Sequence, residues 1–97
     1  MTTQEATTKA YEDKIKADLQ QAKDQLAEFE ARAKGKMAQA EINTVNHLKT
    51  RHEEIEKKRQ TLKTIGEAKM EQTKAEIDGE IANLRTSLAD LSKKLRT

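Results

Sequence analysis

The chain has no cysteine, no proline and no tryptophan, and Tyr11 and Phe29 are its only aromatic residues. Each absence excludes something. Without cysteine there is no disulfide and no thiolate metal site, and the redox compartment leaves no mark. Without proline, nothing forces a helix to end. Two aromatics in 97 residues, with 34% hydrophobic against 37% charged residues, make a compact single-chain core unexpected, and a seam between long helices is the economical alternative. Long apolar runs are missing as well, since no stretch approaches the roughly 20 residues of a membrane span. Residues 1–8 lack a basic region followed by an apolar run, so no secretory signal is expected and a cytoplasmic location is the default expectation.

What the chain does have is periodicity. Stepping by eleven from Tyr11 meets Ala22, Ala33, Thr44, Ile55, Gly66, Ile77 and Leu88; from Ile15 it meets Leu26, Met37, Leu48, Arg59, Met70 and Ile81. A third series runs through Phe29, Ala40, Arg51, Leu62, Thr73, Leu84 and Leu95. The three series are offset by three or four residues, which places them on one stripe of a helix. After Ile77 the spacing becomes a three-four alternation of heptad type through Ile81, Leu84, Leu88, Leu91 and Leu95. Tyr11, Ile15, Leu26, Phe29, Met37, Leu48, Ile55, Leu62, Met70, Ile77, Ile81, Leu84, Leu88, Leu91 and Leu95 are therefore the candidate helix–helix interface. Such a stripe needs a partner to cover it.

Helix formers fill nearly every position after the threonine-rich residues 1–8, which read as a flexible tail ahead of a helical domain at 9–97. Glu-to-Lys pairs four apart, including Glu30/Lys34, Glu53/Lys57 and Glu54/Lys58, support helix. Gly35 and Gly79 have strong helix formers on both sides and are expected to be absorbed within a helix. The best turn candidate is 61–66, where Thr64 and Glu67 stand at capping-box spacing. The eleven-residue phase nevertheless passes through Gly66 undisturbed, as in a helix that simply continues. The expected fold is thus all-α: a long coiled-coil helical hairpin turning near 61–66, or one continuous long helix, in either case oligomeric.

Net charge is only +2, but it is unevenly spread. Residues 1–32 carry five basic and seven acidic residues, 33–64 eight and four, and 65–97 six of each. Lys57, Lys58, Arg59 and Lys63 in the basic middle are candidates for binding a polyanion, against the plainer reading of a solvated helix face. Nucleic-acid binders usually carry a stronger basic excess and aromatic readers.

No constellation of reactive groups emerges. His47 and His52 are five apart and fall on different sides of a helix, and Glu56 stands where a zincin helix would place its second histidine. Glycines 35, 66 and 79 are isolated, so there is no phosphate-cradling loop, and Ser87 and Ser92 lie in the leucine-rich helix. No catalytic, cofactor-binding or metal-ligating residue is expected, and no cofactor or small-molecule substrate.

The run Gly66-Glu67-Ala68-Lys69-Met70-Glu71-Gln72-Thr73-Lys74-Ala75-Glu76-Ile77-Asp78-Gly79-Glu80-Ile81-Ala82-Asn83-Leu84 resembles the carboxy-terminal half of a family of small bacterial coiled-coil stress-response proteins. Tyr11-Glu12-Asp13-Lys14 and the charged middle are similar too. The tryptophans of that family are replaced, by Lys69 or Met70 near the first and Ile81 near the second. The resemblance implies a cytoplasmic, stress-associated protein without a catalytic site. A non-enzymatic structural or interaction protein, acting through helix–helix assembly with itself or a helical partner, is the functional expectation. The alternative is an amphipathic helix protein that binds a membrane surface or a polyanion such as nucleic acid.

Overall fold

A computed structural model describes residues 3–96. The chain is all-helical, with α1 Thr3–Gly35, α2 Gln39–Thr61 and α3 Glu67–Arg96. All three helices touch one another and form an up-down-up bundle measuring 51 × 18 × 17 Å. Its length is that of α1 alone, because 33 residues at about 1.5 Å each span roughly 50 Å. The chain thus folds back twice, where a single turn or none was expected. Helix α1 starts at Thr3, so residues 3–8, read as tail, continue the helix; Met1 and Thr2 lie outside the described residues.

The core explains why the ladder misleads. In α1 the buried side chains are Glu12, Ile15, Leu19, Ala22, Leu26, Phe29 and Ala33, a strict three-four heptad alternation. Val45, Leu48 and Ile55 continue the spacing in α2 and Leu62 at its C-cap, and Ile77, Ile81, Leu84, Leu88, Leu91 and Leu95 in α3. Four-three-four steps along a heptad also sum to eleven, so over a short chain the two periods coincide at many positions. They part at Leu19, which is buried but lies on no eleven-residue series, and at Ala40 and Arg51, which lie on one but are exposed. Because every stripe is covered within one chain, a second chain is no longer required to bury it.

The first reversal occupies residues 36–38. Gly35 does end a helix, though as its last residue and without positive φ. The left-handed position is Met37, with φ 55°. Around it the Met37 amide donates to the Lys34 carbonyl at 3.1 Å and the Ala38 amide to the Ala33 carbonyl at 2.9 Å. These are the paired five-to-two and six-to-one bonds of a Schellman cap, with methionine where glycine is usual. Met37, expected in the interface, is instead 88% exposed at the tip of the bundle, since a left-handed residue points its side chain away from the stripe of either helix.

The second reversal falls at 62–66, inside the expected segment, but not through the expected cap. The Thr64 hydroxyl donates back to the Thr61 carbonyl at 3.0 Å, and α3 starts from Gly66, whose carbonyl accepts from the Lys69 and Met70 amides. No residue here has positive φ.

Candidate functional site

The ion pairs explain what the polar surface is made of. Helices α1 and α3 run parallel and are clamped at three levels: Tyr11 Oη lies 2.7 Å from Asp78 Oδ1 and 3.0 Å from the Lys74 carbonyl, Arg85 meets Asp18 at 2.7 Å, and Lys36 donates to the Leu95 carbonyl. Lys74 Nζ sits 5.2 Å from the Tyr11 ring centroid, a cation–π distance. Burial, then the hydrogen bond to Asp78, raises the Tyr11 phenol well above its ordinary value. On the other side His52 Nε2 lies 2.8 Å from the Leu19 carbonyl. A carbonyl only accepts, so this contact requires the proton on Nε2.

The four basic residues singled out above do not converge. Lys58 crosses to α3, where it pairs with Glu80 and lies 3.7 Å from Glu76; the hydrogen bond to Glu80 raises its pKa. Arg59 turns along its own helix to Glu56, with Nε 3.1 and 3.2 Å from the two carboxylate oxygens, and that contact lowers the Glu56 carboxyl below its ordinary range. Lys63 points at Glu12, 4.0 Å away. Lys57 faces the α1–α2 groove. Each cation therefore serves a different place, and three of them have an acid beside them.

Glu12 was not anticipated as a core residue. It occupies the first described seam position of α1 at 7% exposure, and its Oε1 is buried without a hydrogen-bond partner. The heptad spacing of Glu12 with Ile15 and Leu19 is the signal that would have found it.

Two open grooves run between helices. The α1–α2 groove, about 600 Å³, has Leu26 and Ala27 at its base and alternating signs along its rim, with Lys23, Lys49 and Lys57 against Glu30, Glu53 and Glu56. Glu30 pairs with Lys49 and with Lys34, the latter at 2.8 Å, so much of this rim neutralises itself. The α1–α3 groove, about 450 Å³, is floored by Ala22, Phe29, Leu88 and Ala89, and Arg85, Lys93 and Arg96 outnumber Asp18 at its edge. Small residues at 22 and 89 are what leave the depression. No group of three or more His, Asp or Glu side chains able to hold a metal ion occurs among the described residues, and none of the described helices is long and apolar enough to cross a membrane.

Of the expected interface residues, Ile15, Leu26, Phe29, Leu48, Ile55, Leu62, Ile77, Ile81, Leu84, Leu88, Leu91 and Leu95 lie in one continuous core, and Tyr11 and Met70 pack at its edge. Leu19 and Val45 belong to the same core. No protein-family model, no curated protein and no solved structure matches the chain.

Proposed function

We propose that this chain is a non-enzymatic helical protein that binds another protein through the groove between α1 and α3. The observation that carries the reading is that groove itself: an alanine-and-phenylalanine floor edged by Lys93 and Arg96, beyond the Arg85–Asp18 pair, suits an amphipathic helix with an acidic flank. Its apolar floor supplies affinity and its basic edge selects the sign of the partner. The association with stress rests on the sequence resemblance, and loss of survival under stress when the gene is deleted is its check.

A membrane or polyanion role has less support, because Lys57, Lys58, Arg59 and Lys63 point to different places and form no single basic surface. A photo-crosslinking residue at Ala89 in living cells distinguishes the readings. The protein-binding reading expects a discrete protein adduct from position 89, lost in Lys93→Glu or Arg96→Glu, and none from exposed Ala82 on the same helix. Equal adducts from both positions would reject the groove. Flotation with anionic vesicles, or salt-dependent nucleic-acid binding at physiological ionic strength, would favour the alternative.

A further inference from the structure

We infer that the 62–66 turn is a hinge through which two copies of this chain exchange α3, with α2 and α3 fusing into one helix in the exchanged dimer. The backbone of the turn already has the sense of a helix. Leu62, which caps α2, has φ −57° and ψ −26°, and its amide donates to the Arg59 carbonyl. The Thr64 and Ile65 amides donate to the Thr61 carbonyl at 2.9 and 3.1 Å. None of these residues is left-handed, so straightening the segment requires no change of hand.

The side chains agree with the backbone. Ile55, Arg59, Leu62, Gly66, Met70, Thr73 and Ile77 follow one another at three- and four-residue steps, so the buried faces of α2 and α3 lie on a single stripe if the two helices are joined. Two such fused helices laid antiparallel would pack α2 of each copy on α3 of the other. Every contact now made by α3 within the chain, including Tyr11 with Asp78, Asp18 with Arg85 and Lys58 with Glu80, would be remade between copies. Exchange of an identical element conserves the interface and changes only the hinge. The partner of this surface is therefore a second copy of the chain. The turn at 36–38 cannot serve in the same way, because Met37 is held left-handed by two backbone bonds.

Two hinge substitutions test this in opposite directions. Gly66→Ala meets nothing within 4 Å in the closed turn, and it adds a good helix former at the middle of the fused helix. It should lower the dimer dissociation constant by at least about tenfold, since the gain is counted once per chain. Glu67→Pro suits the first position of α3 in the closed form but breaks a helix that runs through it, so it should be monomeric at the same concentrations. Each protein is refolded at micromolar to millimolar concentration and its mass is read by sedimentation equilibrium. In the dimer, nitroxides on Glu54 and Glu76 of one spin-diluted chain should lie about 33 Å apart, the span of twenty-two helical residues. A Gly66→Ala protein that dimerises no better than the parent, or a dimer that Glu67→Pro forms equally well, would overturn the inference.

Discussion

The turn at 36–38 and the turn at 62–66 reverse the chain by different physics. The first is a backbone device: two Schellman bonds and one left-handed residue define it, and the side chain at its centre is in solvent. The second has backbone bonds too, from Thr64 and Ile65 to the Thr61 carbonyl, but they are of helical sense and no residue is left-handed. Its reversal therefore relies on what surrounds it: fully buried Leu62, part-buried Ile65 and the ion pairs from Lys58 to α3. A turn fixed by its own dihedrals stays a turn whatever packs against it. One fixed by packing is only as stable as the core beside it, which is why it can serve as a hinge.

The comparison breaks most sharply at Leu62. Leu62→Ala should cost about 2–5 kcal/mol, the loss of a buried leucine together with the cavity it leaves. Met37→Ala, at the centre of the other turn, should change stability by less than about 0.5 kcal/mol, because an exposed side chain is removed and the backbone bonds remain. Urea denaturation of both variants reads the contrast. Equal costs would mean that both turns are held in the same way.

Glu12 gives the next effect, at the end of the bundle that holds the 62–66 turn. Its buried, unpartnered Oε1 makes the seam weaker there, so Glu12→Met should stabilise by about 1–3 kcal/mol. Loss of stability would show instead that its approach to Lys63 supports the turn.

Met37→Gly should add about 1 kcal/mol, since glycine takes the left-handed conformation without a Cβ penalty. The same variant should leave the 62–66 turn untouched, as seen by unchanged nitroxide distances across it.

These particular residues also show how far the sequence can be read. Leucines 84, 88, 91 and 95 announce a helix seam, because large aliphatic side chains at three-four spacing share one face of a helix and cannot stay in water without cost. The 62–66 turn is visible because threonines and a glycine interrupt good helix formers. The 36–38 turn is not, because its left-handed position is a methionine, and Gly35 two residues earlier resembles a tolerated helix glycine. Without that turn, Met37 falls on the stripe and the stripe calls for a second chain. The basic cluster is illegible for another reason: which acid each lysine meets depends on helices distant in sequence.

The smallest effect concerns pH. The Glu56 carboxyl lies below its ordinary value in the folded protein because Arg59 hydrogen-bonds its charged form. Its contribution is therefore complete above the ordinary carboxylate value and is lost as pH falls through the lowered one. Glu56 is partly exposed, so no more than about 0.5 kcal/mol is at stake. Melting curves between pH 7 and 2 should show a slightly shallower acid limb in Glu56→Gln.

The central claim is that one chain covers its own apolar stripe by folding back twice, and X-ray scattering from dilute protein tests it most directly. The account expects the mass of a single chain and a radius of gyration close to the 15.6 Å of the Cα trace. A single-chain mass with a radius near 38 Å, that of a continuous helix roughly 130 Å long, would contradict it.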